Sequence, residues 1–94
     1  LQEAIKKVKI GAKIGDIGCA VQDFVEKNGF SVIRRFVGHG IGRDLHLPPE
    51  APNFGKCKEG EELKEGYAIA IEPMVSSGTY DIDVLDDGWT VKTK

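Results

Sequence analysis

Two segments near the start of the chain carry apolar residues at helical spacing. In the first segment, LQEAIKKV, the apolar positions are Leu1, Ala4, Ile5 and Val8. In the second segment, the apolar positions are Ile14, Ile17, Val21, Phe24 and Val25. The sequence KNG follows the second segment and places Gly29 where a left-handed C-terminal cap is expected. The pattern predicts one helix at the start of the chain and a second helix over residues 15–28.

The patterns of several later segments are typical of β-strands. FSVIRRFV is rich in β-branched and aromatic residues and predicts a strand that ends at His39. YAIAIEPMV predicts a second strand, and apolar residues on both of its faces predict burial on both sides. TYDIDVL and WTVKTK predict further strands, with SSG turning into the first of them. DDG predicts a hairpin turn between the two, because Gly88 accepts the positive φ that tight turns need.

The segment from Leu47 to Gly66 is predicted to be a long surface loop. It holds three of the four prolines and the charged run KCKEGEELKEG. The predicted order is then helix, helix, strand, long loop and an antiparallel meander. This order is typical of an α+β fold in which two helices pack on an antiparallel sheet, in one domain over residues 1–94.

Composition narrows the possible functions. Thirteen basic and fifteen acidic side chains give a net charge of -2, which favours neither a general nucleic-acid surface nor binding to an anionic membrane. No apolar run approaches the roughly 20 residues of a membrane span, and no segment resembles a signal peptide. Cys19 and Cys57 are too distant in sequence for a CxxC motif, so free thiols and a cytoplasmic location are predicted.

Glu72 is the unexpected residue of the second predicted strand, since it lies between Ile71 and Pro73 in an apolar segment. An isolated carboxylate in an apolar interior is costly unless it has a partner. The residues alone leave two interpretations open. Glu72 faces solvent on an edge strand, which Pro73 would favour, or it is a metal ligand or general base.

The only two histidines of the chain, His39 and His46, lie in the segment VGHGIGRDLHLPP. The glycines of GHGIG argue against a helix there. An imidazole can bind a metal or transfer protons near neutral pH, and flanking glycines would let a metal or substrate approach closely. The alternative is two loop histidines with no task. A dinucleotide-binding loop is disfavoured because no helix follows GHGIGR, and neither HExxH nor a Ser-His-Asp order is present.

Three motifs, GHGIGRDLH, AIEPMV and DDGWTVKTK, closely resemble the type I methionine aminopeptidases in their order and separations. The resemblance extends over essentially the whole chain, including GFSVIRRFVGHG and PPEAPNFG. It implies a pita-bread fold, in which two pseudo-symmetric α+β halves enclose a two-metal site. Residues 1–94 would form a partial domain, most of the second half of such an enzyme. The chain also begins without Met and stops directly after WTVKTK, so we expect a fragment of a longer protein.

The resemblance implies a role for five residues of the chain. The motifs GHG and IEPM make His39 and Glu72 metal ligands, and DLH makes His46 the catalytic residue that hydrogen-bonds the scissile amide. Leu45 and Trp89 would line the pocket for a methionine side chain, with ordinary core packing as the alternative. The implied cofactors are two divalent ions of cobalt, manganese, iron or zinc. The implied substrate is the N-terminus of a nascent peptide, from which the complete enzyme removes the initiator methionine in the cytoplasm.

The chain lacks part of the family's pattern. No segment matches the two-aspartate strand pair or the final glutamate strand, and the aspartates near the end are not expected to replace them. These aspartates are Asp81, Asp83, Asp86 and Asp87. With two of five protein ligands, the chain alone is expected to be inactive. The alternative function is a non-catalytic half-domain that acts as a folding, binding or self-associating module, through the surface that the missing half would cover.

Overall fold

The computed structural model of the chain describes residues 1–94 and contains two helices and seven short strands. Helix α1 is Gln2–Ile5 and helix α2 is Ile14–Lys27. The strands are β1 (Ser31–Val32), β2 (Gly38–Ile41), β3 (Leu47–Ala51), β4 (Ala68–Ala70), β5 (Val75–Ser76), β6 (Ile82–Val84) and β7 (Val91–Thr93). They form three antiparallel groups in the orders β1–β5, β3–β2–β4 and β6–β7. The predicted α+β class is confirmed.

Helix α2 forms within one residue of its predicted bounds. The apolar residues that it buries are Ile14, Ile17, Val21 and Val25. Phe24 was expected in the same stripe but is 53% exposed, because it lies at the margin of the stripe, where no other element covers it fully. At the start of the helix, the backbone N–H of Lys13 donates to Asp16 Oδ2 at 2.8 Å, as in a capping box. At its end, Gly29 has the positive φ that the sequence predicts.

The core is small and lies between α2 and the strands. Fifteen of the 94 residues are buried. The apolar cluster consists of Ala4, Ala12, Ile14, Ile17, Val21, Val25, Val32, Ala51 and Leu63. Helix α1 contributes only Ala4, and the other apolar residues of its predicted stripe are exposed. Helix α2 is therefore the main element against which the sheet packs.

The prediction of a solvated loop over residues 47–66 is wrong. Its first five residues form β3, and Leu63 and Asn53 are buried further along. Pro48 and Pro49, two of the three prolines that suggested a loop, lie in β3, at the edge of the β3–β2–β4 sheet. An edge strand tolerates proline because only one of its sides needs N–H donors for a ladder.

The segment after β3 is bound to helix α2. The N–H of Lys58 donates to Asp16 Oδ1 at 2.8 Å, and the N–H of Gly55 donates to Gln22 Oε1 at 3.0 Å. The N–H groups of Lys13 and Lys58 together hold the pKa of Asp16 below its usual value. A disulfide joins Cys19 of α2 to Cys57 of this segment, with their Cα atoms 5.1 Å apart.

The prediction of free thiols is thus wrong. Cys19 and Cys57 are 38 residues apart in sequence, but the fold lays the segment that follows β3 across helix α2. Sequence spacing identifies short-range motifs such as CxxC and carries no information about this contact.

The predicted meander is also wrong, apart from its last hairpin. YAIAIEPMV divides into β4, which pairs with β2, and β5, which pairs with β1. FSVIRRFV is not one strand either, since it contains only the two residues of β1, and β2 begins directly after it at Gly38. Strand β4 is not buried on both sides, because Ala68 is exposed and Ile69 is half-buried. The DDG hairpin between β6 and β7 is confirmed, with Gly88 at positive φ.

Strand β2 lies between β3 and β4 and is held closely on both sides. A Cβ on Gly38 would overlap the carbonyl oxygen of Ala70 in β4. The glycines beside His39 were expected to give room to a metal or substrate. The structure shows instead that the neighbouring strand occupies the room at Gly38, since only glycine permits such a close approach of two backbones.

No helix of the structure has both the length and the apolar character that crossing a membrane requires.

Replacement of Gly38 by alanine should destabilise the fold, because the new methyl group must displace β2 from β4. We expect the free energy of unfolding to fall by about 1–3 kcal/mol, the usual cost of overpacking. Urea unfolding followed by circular dichroism measures this quantity. Gly78→Ala is the matched control, since a Cβ at Gly78 meets no atom within 4 Å. Equal effects of the two substitutions would contradict the steric explanation.

Reduction of the Cys19–Cys57 bond should also destabilise the chain. The bond closes a loop with a sequence separation of 38 residues. A chain-entropy estimate for a loop of this size gives about 3–4 kcal/mol of stabilisation. Urea unfolding with and without dithiothreitol tests the estimate. The double variant Cys19→Ser/Cys57→Ser should match the reduced protein and should not respond to dithiothreitol. An unchanged unfolding midpoint on reduction would show that the bond contributes nothing to stability.

Candidate metal-binding site

His39 and Glu72 are brought together by the register of β2 and β4. His39 lies directly opposite Ala70 in the antiparallel ladder. Glu72 follows Ala70 by two residues, so an extended backbone returns its side chain to the face that Ala70 occupies. A diagonal neighbour in a sheet is within reach of a long side chain. The result is a distance of 2.9 Å between His39 Nε2 and Glu72 Oε1.

The backbone fixes which nitrogen of His39 faces Glu72. His39 Nδ1 lies 3.0 Å from the carbonyl oxygen of Gly40. Because a carbonyl oxygen only accepts hydrogen bonds, Nδ1 carries the hydrogen and donates it. In the neutral ring, Nε2 then presents a lone pair toward a carboxylate oxygen. Two facing acceptors are stabilised by a cation, either a proton or a metal ion.

His46 completes a group of three side chains. Its ring centroid lies 4.2 Å from that of His39, with the two planes tilted by 54°. His46 belongs to the irregular segment between β2 and β3 and is exposed. The three candidates thus come from β2, from the β2–β3 connection and from the segment after β4. His39 was expected at a strand end and is instead the second residue of β2.

The site is open to solvent on the side of Glu72. The side chain of Glu72 is 46% exposed, whereas that of His39 is 13% exposed. The solvent-facing interpretation of Glu72 and the ligand interpretation are therefore compatible, since the carboxylate both meets water and contacts His39. Because the Glu72 carboxylate is partly exposed, it keeps part of its hydration and does not need a partner to offset the cost of burial. Its exposed side leaves room for a metal ion or a substrate.

The donor atoms of His39 and Glu72 fit one side of a divalent metal site. Two ligands bound at about 2.1 Å and at a right angle are about 3 Å apart, close to the observed Nε2–Oε1 distance. A nitrogen and oxygen donor pair suits borderline divalent ions. No group of three or more His, Cys, Asp or Glu side chains could hold a metal ion. The two residues therefore do not make a complete metal site by themselves.

One of the four aspartates near the end of the chain, Asp87, has a structural role. The backbone N–H groups of Trp89 and Thr90 donate to Asp87 Oδ1 across the β6–β7 turn. Together with the Thr90 hydroxyl, these donors hold the pKa of Asp87 below its usual value. Asp87 thus stabilises the hairpin turn in its ionised form.

Leu45 and Trp89 both lie on the surface. Leu45 is 69% exposed and Trp89 is 88% exposed. Neither residue belongs to the core of these 94 residues. Their assignment to a substrate pocket stays a prediction.

Asn53 is a residue of the site that sequence reasoning does not identify. It is fully buried, and its Nδ2 donates to the backbone carbonyl of Glu72 at 3.0 Å. Its Oδ1 is buried with no hydrogen-bond partner in the protein. An asparagine between Pro52 and Phe54 in a predicted loop has the signature of an ordinary turn residue, so the sequence carries no signal for this contact.

The energetic contributions of Asn53 to the fold nearly cancel. One intramolecular hydrogen bond contributes about 1 kcal/mol, whereas a buried acceptor without a partner costs about 1–3 kcal/mol. The net contribution of the amide to the free energy of unfolding is small or unfavourable. Its effect on the position of Glu72 is thus separable from stability.

Comparisons with known proteins support a common fold and ancestry. The chain is 50% identical over 94 residues to methionine aminopeptidase A of Synechocystis, covering all of this chain and 37% of that protein. It is 52% identical over 91 residues to methionine aminopeptidase of Clostridium perfringens, covering 97% of this chain and 36% of that protein. The chain thus spans little more than a third of the length of these relatives.

Solved structures agree with the sequence comparisons. The crystal structure of methionine aminopeptidase from Thermotoga maritima superposes with a TM-score of 0.96 at 48% identity, covering 99% of this chain and 37% of that one. The enzyme from Rickettsia prowazekii gives a TM-score of 0.92 at 45% identity, covering 99% of this chain and 40% of that one. Over the part that it covers, the chain has the pita-bread fold of these enzymes.

The sequence model of metallopeptidase family M24 matches residues 1–93, which include every candidate site residue named above. The chain therefore belongs to metallopeptidase family M24.

Proposed function

We propose that residues 1–94 are part of a methionine aminopeptidase, most of the second half of its catalytic domain, and that the complete enzyme removes N-terminal methionine by metal-dependent hydrolysis. The observation that carries the proposal is the 2.9 Å approach of His39 Nε2 to Glu72 Oε1 in a chain of family M24. The relatives that support it bear the name methionine aminopeptidase and are about half identical to this chain.

In the proposed mechanism, His39 and Glu72 each provide one ligand to a divalent ion. The complete site holds two ions of cobalt, manganese, iron or zinc. When bound, such ions supply Lewis acidity toward a peptide carbonyl and lower the pKa of water. The Gly40 carbonyl oxygen keeps the hydrogen of His39 on Nδ1, which leaves Nε2 available for coordination.

His46 acts on the substrate in this proposal. Its ring stands beside that of His39 and is exposed, so an N–H of His46 can donate to the scissile amide without displacing a ligand. A donor aimed at charge that develops during acyl transfer stabilises the transition state. Leu45 and Trp89 are exposed apolar side chains that would contact the methionine side chain of a nascent peptide N-terminus.

The 94-residue chain alone is proposed to be inactive. His39 and Glu72 are two ligands where a complete site needs more, and the chain covers about 37% of its relatives. The second candidate function is a non-catalytic half-domain that folds and self-associates. Its support is the number of large apolar side chains left exposed in so small a chain, among them Ile10, Leu1 and Leu45.

The proposed location of the complete enzyme is the cytoplasm, where nascent peptides emerge. The Cys19–Cys57 disulfide is the feature that fits a reducing compartment least, since disulfides are rare there.

The test of the proposed function uses a chimera in which these 94 residues replace the matched region of the Thermotoga maritima enzyme. We expect metal-dependent release of methionine from a short peptide. His39→Ala and Glu72→Ala should each abolish release, because each removes a ligand. His46→Ala should lower kcat about 100- to 1000-fold, as loss of a transition-state donor does.

Lys92→Ala is the control for the chimera, because Lys92 is an exposed residue of β7. Its activity should equal that of the unsubstituted chimera. Full activity in either ligand variant would overturn the assignment of that ligand, and an inactive but folded chimera would contradict the proposed function.

A further inference from the structure

We infer that Asn53 is a positioning residue for Glu72: its buried amide fixes the backbone at Glu72 and thereby directs the carboxylate toward His39. The consequence for metal binding rests on the proposed function. The role of Asn53 in fixing the backbone does not rest on the proposed function, because it is argued from contacts within the chain.

The backbone at Glu72 lies outside the ladders that flank it. Strand β4 ends at Ala70 and β5 begins at Val75, so Glu72 belongs to neither strand. The ladder between β2 and β4 fixes Ala70 opposite His39 but does not extend to Glu72. The hydrogen bond from Asn53 Nδ2 to the carbonyl oxygen of Glu72 supplies a fixed point where the ladder is absent.

Asn53 is itself held by the strand that flanks His39 on the other side. It follows Ala51, the last residue of β3, and Ala51 is fully buried opposite Gly38 of β2. The ends of β3 and β4 therefore both depend on β2, and the Asn53–Glu72 bond joins them. Strand β2 pairs with β3, Asn53 follows β3 and bonds to Glu72, and Glu72 contacts His39 of β2. These contacts thus return to the strand from which they start.

The contact with the carbonyl oxygen of Glu72 requires a hydrogen-bond donor. A backbone carbonyl oxygen can only accept, and the amide Nδ2 is the only donor that the Asn53 side chain has. The other end of the amide is buried without a protein partner, so the side chain adds little net stability. Leucine, which is of similar size, lacks the donor and removes the unpaired acceptor at the same time.

The test uses Asn53→Leu in the 94-residue chain, with NMR in two conditions. Without metal, we expect the carbonyl carbon signal of Glu72 to shift and the short proton contacts between His39 and Glu72 to weaken. With Mn²⁺ as the probe, line broadening at His39 should require about 10- to 100-fold more metal, the usual effect of losing a group that orients a ligand. The urea midpoint of Asn53→Leu should stay equal to or above that of the unsubstituted chain.

Two further variants separate positioning from stability. Ser76→Ala removes another buried polar side chain, on β5, whose hydroxyl accepts from the N–H of Gly78, and should change the urea midpoint without changing the Mn²⁺ response. Asn53→Ala lacks the donor without adding bulk, so it should reproduce the NMR result if Asn53→Leu fails to fold.

The metal-free and Mn²⁺ experiments test the positioning role of Asn53 and the metal site separately. An unchanged Glu72 carbonyl shift and unchanged Mn²⁺ response in the folded Asn53 variants would overturn the positioning role. If Mn²⁺ broadens no signal of His39 or Glu72 even in the unsubstituted chain, the assignment of these two residues as metal ligands, on which the proposed function depends, fails. The metal-free measurement then still decides the role of Asn53.

Discussion

The ladder between β2 and β4 sets the position of His39 relative to the segment that carries Glu72. The close approach of the two strands depends on Gly38, because a side chain there would collide with the Ala70 carbonyl oxygen. The register then places Ala70 opposite His39 and Glu72 at the diagonal position. A shift by one residue would turn the carboxylate to the opposite face of the sheet. The packing of the backbone thus sets the positions of the two side chains on which the chemistry of the site depends.

The support of this ladder extends outward to helix α2. Strand β3 covers the other edge of β2, and the segment after β3 returns across the helix. Asp16 holds that segment through Lys58, and the Cys19–Cys57 bond closes it. Between these two anchors and the sheet lies Asn53, with its bond to Glu72. A site that is open to solvent on one side is therefore held from its buried side by a short covalent and hydrogen-bonded path.

Local signals in the sequence correctly predict helix α2 and the last hairpin. The apolar stripe and Gly29 define helix α2, and DDG defines the β6–β7 hairpin, since each depends on nearby residues. The strand β3 is not predictable in this way, because Pro48 and Pro49 indicate a loop unless the edge position is known. YAIAIEPMV has the pattern of one strand, but its pairing with β2 ends at Ala70 and its pairing with β1 begins at Val75. The pairing of strands, the disulfide and the Asn53 contact all join distant segments and leave no periodic signal.

The sequence likewise predicts only part of the candidate site. The residues identify His39, His46 and Glu72 as polar groups in unusual settings, and the family resemblance assigns their roles. Neither source predicts that the Gly40 carbonyl orients His39 or that a buried amide holds Glu72. These partners are backbone groups and an asparagine in a turn-like segment, types of group that are common in every chain.

In the proposed function, His39 and Glu72 form one side of a divalent metal site. Pseudocontact shifts from Co²⁺ added to the 94-residue chain locate the ion directly. We predict a single position within bonding distance of His39 Nε2 and Glu72 Oε1. An ion located at the aspartates of the β6–β7 hairpin, or at no defined position, would contradict the claim.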